Sequence, residues 1–182
     1  MLLEDIMEAN WKFTHEIRPE VLDHHPQKHL AIVTCMDTRL VEILEPALGI
    51  HRGEAIEIKN AGNFVGGKHC DVIRSLVGAV YMLGVREVAV IGHSSCGMAK
   101  VDFQRLRDSM LAAGVAKQDL DELNLENWIG SFPDEKDNVL HTVQIIRNSR
   151  YLPKDMPVHG FMIDIETEEL TVVVNGYQQI KR

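Results

Sequence analysis

The sequence predicts a single-domain α/β fold with a central, mostly parallel β-sheet flanked by helices. Three observations carry that prediction. Two near-continuous apolar runs, residues 30–35 and 87–91, have the pattern of strands buried on both faces. An amphipathic segment at residues 69–83 lies between them and is suited to cross from one parallel strand to the next. The 182 residues contain no internal repeat and no linker rich in Pro, Gly or Ser, which fits one domain.

Taken in order, residues 1–25 read as a helix. Ile6, Trp11, Phe13 and Ile17 are spaced irregularly among charged residues, so this stretch is expected to pack on a partner subunit more than on its own core. It forms an arm, residues 1–27, ahead of the α/β domain at residues 28–182. The loop His24-His25-Pro26-Gln27-Lys28 ends it. After the strand at 30–35, a short helix at 40–48 with Pro46 near its end leads to a strand at 54–59. The turn Asn60-Ala61-Gly62-Asn63 follows. In the helix at 69–83, Val72, Leu76 and Val80 recur at i, i+4, i+8, with Ile73, Val77 and Tyr81 one residue on. The two rows merge into a wide apolar stripe, and Gly84 supplies the stop. Beyond the strand at 87–91, helices are expected at 98–112, 117–130 and 134–149, the last carrying Val139, Leu140, Val143 and Ile146. Pro153 and Pro157 break the pattern. Strands at 158–165 and 170–174 then flank the acidic turn Glu166-Thr167-Glu168-Glu169.

Composition narrows the function. Lys and Arg number 19 against 27 Asp and Glu, a net charge of −8, which disfavours nucleic acid and anionic membranes as partners while leaving room for a small anionic substrate. Glu4 and Asp5 stand where a signal peptide would be basic, and the apolar run at 76–85 is too short to span a bilayer. A cytoplasmic protein without membrane association is expected. Three cysteines make an odd number, which points away from a disulfide framework and toward metal binding, catalysis or burial.

Two polar clusters follow the apolar strands: Cys35-Met36-Asp37-Thr38-Arg39 and His93-Ser94-Ser95-Cys96-Gly97. Ligands of open parallel sheets bind beyond the carboxyl ends of strands, where both clusters fall. Thiolate and imidazole suit zinc, and Cys35, His93 and Cys96 would leave a fourth position open. Two thiolates cancel the charge of Zn²⁺, so such an ion is a weaker Lewis acid than one held by three histidines, and activity is expected to rise toward alkaline pH. Arg39 is permanently charged and can compensate. Asp37 has two available roles: paired with Arg39 and accepting a hydrogen bond from zinc-bound water or hydroxide, or swung onto zinc as the fourth ligand, which blocks the site. Cys70 has no such setting and reads as a buried hydrophobe. The remaining histidines, His159 among them, read as surface or loop residues.

These motifs resemble the β-class carbonic anhydrases. The likeness runs through Cys35-Met36-Asp37-Thr38-Arg39, Asn60-Ala61-Gly62-Asn63, Gly92-His93-Ser94-Ser95-Cys96-Gly97, Val158-His159-Gly160-Phe161 and Asp164-Ile165-Glu166-Thr167. It covers roughly residues 28–175. It implies Zn²⁺ on Cys35, His93 and Cys96, with Asp37 and Arg39 as a catalytic dyad and Asp37 a fourth zinc ligand in some members. It also implies a homodimer or homotetramer with N-terminal helices reaching onto the neighbour. The implied activity is reversible hydration of CO2 to bicarbonate and a proton by zinc-bound hydroxide. Lys59 departs from the arginine that many members carry before the Asn-Ala-Gly turn. Three rivals remain: hydrolysis of carbonyl sulfide or carbon disulfide on the same zinc, a metal-free cysteine hydrolase using Cys35 or Cys96, and a non-catalytic zinc or bicarbonate-sensing protein.

Overall fold

The computed structural model describes residues 1–16, 20–67 and 70–179. Ile17 and His69 therefore lie outside the described residues. Five strands form one sheet in the order β2-β1-β3-β4-β5: β1 (Leu30–Cys35), β2 (Ala55–Asn60), β3 (Glu87–His93), β4 (Val158–Ile163) and β5 (Leu170–Val174). The β1–β2, β1–β3 and β3–β4 pairs are parallel, and only β5 runs antiparallel, against β4. The expected mostly parallel sheet is the sheet observed.

The strand order places the reversal between β1 and β3. The chain leaves β1 toward one edge through β2, then crosses back over α3 (Asp71–Leu83) to lay β3 on the other side of β1. A crevice opens beyond the carboxyl ends of strands at such a reversal. Cys35 ends β1 and His93 ends β3, so both face that crevice.

The two sheet faces are covered unequally. One face packs on α3 and α7 (Glu135–Asn148), with Ala31, Val33, Val88 and Val90 meeting Val72, Ile73, Leu76, Val139, Val143 and Ile146. α7 sits close because Gly92 lies beneath it; a Cβ there would stand 2.6 Å from Val139 Cγ2. The opposite face carries Ile32, Ala89, Ile91 and Ile163. Among the described residues, short elements cover it, including the turn at Leu40 and the single-turn α2 (Leu44–Ala47). A groove of about 380 Å³ on this face is lined in part by Leu48, Ile50, Ala89, Phe161 and Val172.

Several boundaries differ from expectation for identifiable reasons. The first helix, α1 (Leu2–Glu16), stops well before residue 25, and none of its residues is buried. Near the end of that stretch Asp23 accepts a hydrogen bond from the His25 amide at 2.7 Å, an Asx-turn that competes with helix. The helix expected from residue 98 begins later, as α4 (Phe103–Ala112), because the backbone before it is occupied. Ala99 bridges to Phe132, the Lys100 amide donates to Phe132 O, and Asp102 then caps the helix through the Arg105 amide. The stretch 117–130 splits into α5 (Lys117–Glu122) and α6 (Leu125–Ile129), since Leu123 is extended and Asn124 caps the second piece through the Asn127 amide. β3 runs to His93, past the expected end at 91. β4 stops at Ile163, where Asp164 accepts from the Glu166 and Thr167 amides. His159 is neither a surface nor a loop residue: it is buried within β4, its Nδ1 accepting from the Gly176 amide (3.2 Å) and its Nε2 facing Glu87 (3.3 Å). Cys70 is half-buried against the α3 core. No helix among the described residues is long and apolar enough to cross a membrane.

Candidate metal centre

Strand pairing brings the two polar clusters together. Cys35, His93 and Cys96 are all buried, and their ligand atoms lie within 4.8 Å of one another. The two sulfurs are 3.9 Å apart and not joined in a disulfide, and Cys96 reaches the group from the turn after β3 through Ser95, whose φ is +54°. His93 is only 1% exposed. Its Nδ1 donates to the Ser94 carbonyl at 2.9 Å, which leaves the lone pair on Nε2. That Nε2 is buried and has no hydrogen-bond partner. A buried polar atom without a partner is costly in a folded protein. A soft-to-borderline cation held between two sulfurs and this nitrogen would satisfy it, so the residues present fit zinc.

The thiols are electrically linked. Hydrogen bonding from Cys96 draws the Cys35 thiol strongly down, against the opposing effect of burial. The same contact with Cys35, together with burial, pushes the Cys96 thiol up. Cys35 also accepts a hydrogen bond from the Gly62 amide at 3.3 Å. A divalent cation entering such a pair displaces the shared proton.

Asp37 and Arg39 stand beside this group. Arg39 Nε and Nη2 donate to the two oxygens of Asp37 at 2.9 and 2.7 Å, and Nη2 also reaches the Ser95 carbonyl at 2.9 Å. The Arg39 side-chain hydrogen bonds hold the Asp37 carboxyl far below the usual carboxylate range, overcoming partial burial. Asp37 Oδ2 lies 3.7 Å from His93 Nε2. The carboxylate is thus adjacent to the cysteine–histidine group while tied to the guanidinium. Lys59 points elsewhere, pairing with Glu45 and Glu57 at 2.9 and 2.8 Å.

A family model described as carbonic anhydrase matches residues 30–170, which span both clusters. The chain belongs to the β-carbonic anhydrase family. Among solved structures, β-carbonic anhydrase isoform I of Trichomonas vaginalis is similar at 39% identity and a TM-score of 0.93, covering 97% of this chain and 100% of that one. β-carbonic anhydrase 1 of Mycobacterium tuberculosis is 36% identical over 151 residues, 81% of this chain and 83% of that protein. Carbon disulfide hydrolase of Acidithiobacillus thiooxidans is 28% identical over 165 residues, 81% of this chain and 74% of that protein.

The structure also contains groups near this β-carbonic anhydrase centre that the sequence did not expose. Asn138 Nδ2 donates to the Gly62 carbonyl at 2.7 Å, and Thr142 Oγ1 donates to the Asn63 carbonyl at 3.2 Å. Glu135 Oε1 accepts from the Cys96 amide at 3.3 Å. All three project from α7. The available signal was a polar pair at i, i+4, Asn138 and Thr142, set into an otherwise apolar stripe.

Proposed function

We propose that this chain is a zinc-dependent carbonic anhydrase that interconverts CO2 and bicarbonate, with Zn²⁺ on Cys35, His93 and Cys96. The observation that carries the reading is the orphaned, buried Nε2 of His93 standing among two thiol sulfurs. Bound zinc would supply Lewis acidity that makes water nucleophilic, less strongly with two sulfur ligands than with three histidines, so activity is expected to rise toward alkaline pH.

The chain's own residues supply the rest. The two sulfurs and the neutral imidazole balance the charge of the ion, so a permanent cation nearby is useful, and Arg39 is that cation. Arg39 grips both oxygens of Asp37 and the Ser95 carbonyl, so the carboxylate has a single orientation. Ionised and 3.7 Å from His93 Nε2, Asp37 is positioned to accept a hydrogen bond from the attacking water and aim its lone pair at the substrate carbon. The same grip keeps Asp37 off the metal. Were Arg39 to release it, Asp37 would be free to take the fourth position and block the site.

Stopped-flow CO2 hydration by the zinc-loaded chain, beside a Cys96→Ser control, tests the reading. Fast hydration that disappears with zinc in the control is expected. A fully zinc-loaded protein without hydration would overturn it. Sulfide release from carbon disulfide or carbonyl sulfide would then identify a hydrolase, and inertness toward all three would identify a zinc or bicarbonate sensor. Zinc-free protein with an alkylatable, catalytically required cysteine would instead indicate a cysteine hydrolase.

The active species in this reading is a homodimer or homotetramer in which residues 1–27 act as an arm. α1 exposes Leu2, Leu3, Ile6, Met7, Trp11 and Phe13, and the thinly covered sheet face presents an apolar groove. Both surfaces are costly to leave in water. Light scattering is expected to report a dimer or tetramer, and a monomer at micromolar concentration would refute this part. A cytoplasmic location, free of membrane and nucleic acid, completes the reading.

A further inference from the structure

We infer that Asn138 is a positioning residue for the metal centre, acting through Gly62 on the Cys35 sulfur. The inference rests on the reading of Cys35, His93 and Cys96 as metal ligands. The Gly62 amide donates a hydrogen bond to the Cys35 sulfur at 3.3 Å. It occupies the left-handed region at φ +71°, and the next residue, Asn63, is also left-handed at φ +46°. Glycine and asparagine both adopt this region readily, so the turn itself is permitted, and the groups that fix which way its peptides point come from outside it.

The holding groups come from α7, on the far side of the turn. The Asn138 amide takes the Gly62 carbonyl at 2.7 Å, and the Thr142 hydroxyl takes the Asn63 carbonyl at 3.2 Å. Both side chains are buried, Asn138 at 4% exposure and Thr142 at 0%. With its carbonyl clamped from behind, Gly62 has its amide turned toward Cys35. An N–H donor withdraws charge from a thiolate and so alters how strongly it binds and neutralises a cation. One turn before Asn138, Glu135 accepts from the Cys96 amide at 3.3 Å, so the same helix also reaches the loop of a second sulfur. Removing Asn138 strips Gly62 O of its donor and frees the glycine. Removing Thr142 takes a donor from the Asn63 carbonyl, one peptide further along from Gly62.

The test compares Asn138→Leu and Asn138→Ser with Thr142→Val. The leucine keeps bulk and the serine adds none, so at least one folded variant is expected. Zinc retention is measured by chelator competition, and the thiolate-to-metal charge-transfer band is recorded on Co²⁺-substituted protein. Loss of a supporting hydrogen bond around a metal site weakens affinity by about 10–100-fold, and that loss is expected for both Asn138 variants, with a shifted cobalt band. Thr142→Val is expected to lower the melting temperature comparably while leaving affinity and band at wild-type values. Folded Asn138 variants with wild-type zinc retention and an unmoved cobalt band would overturn the inference, as would Thr142→Val shifting both equally. Wild-type chain that takes up zinc stoichiometrically, and loses it in Cys35→Ser, separates that failure from failure of the metal reading, which would bring both down together.

Discussion

Gly62 is the position where fold and site constrain one another most tightly, and Gly62→Ala isolates that constraint. At φ +71° an L-residue costs about 1.5 kcal/mol relative to glycine. The new Cβ would also stand 2.7 Å from Phe132 Cε1 and 2.9 Å from Met98 Cβ. Relieving such overpacking costs about 2 kcal/mol. Stiffening of the unfolded chain returns about 0.7 kcal/mol, leaving a net destabilisation of about 3 kcal/mol. Gly49→Ala is the matched control. Gly49 is left-handed too, at φ +61°, yet nothing lies within 4 Å of its Cβ position. It carries the strain without the clash, for a net loss of about 1 kcal/mol. For a domain of this size these figures correspond to melting-temperature drops of roughly 6–12 °C and 2–4 °C. Thermal melts at one fixed protein concentration, with and without zinc, measure both. Equal drops in the two variants would refute the argument that Phe132 and Met98 enforce the turn. Undiminished zinc retention in Gly62→Ala would refute the link from this turn to the Cys35 sulfur.

Asp37→Asn is expected to retain zinc while losing hydration activity by about 10²-fold, the scale of misorienting a reacting group; activity within about threefold of wild type would contradict its role. Because Arg39 depresses the folded-state pKa of Asp37, the stabilising effect of the pair is complete above the unfolded-state pKa and disappears only as pH falls through the lower folded value. The Asp37→Asn penalty should therefore be constant across the neutral range, and a penalty that grew from pH 6 to 8, about the span where histidine titrates, would point to a different group. Stripping zinc with a chelator should lower the melting temperature and leave far-UV dichroism intact, since β1 and β3 are joined by backbone pairing from Leu30 to Thr34, ahead of the candidate ligands; collapse of the dichroism would show the ion to be structural. Leu76→Ala, on the sheet face away from α2, should cost about 2–5 kcal/mol without changing activity per folded molecule, and an activity loss exceeding the folded fraction would argue against separable faces.

The strands were legible because burial on both faces leaves a plain record: β1 and β3 are apolar runs with no solvent face to interrupt them. Cys35, His93 and Cys96 were legible because polar, soft-ligand residues at the ends of such runs have no packing explanation. What escaped was whatever depended on partners distant in sequence. Residues 98–101 look helical in isolation, but Phe132 takes their backbone groups. His159 resembles a surface histidine until Gly176 and Glu87 fold around it. Asn138 and Thr142 read as blemishes in an apolar stripe, since their acceptors at Gly62 and Asn63 belong to another part of the chain. The split of residues 117–130 was marked locally by Asn124, a strong cap residue, yet the leucines on either side masked it.

The order in which α7 and the candidate ligands occur along the chain matters during synthesis. Cys35, His93 and Cys96 have all been made by residue 96, whereas the brace at Gly62 waits for α7 to be complete at Asn148. Translation of the intervening residues takes roughly 3–10 s at ordinary elongation rates. For that interval the nascent polypeptide carries two soft thiols and an imidazole without the helix that orients them. If Cys35, His93 and Cys96 hold a metal, an ion captured during that interval would meet a more pliable group than the folded chain presents.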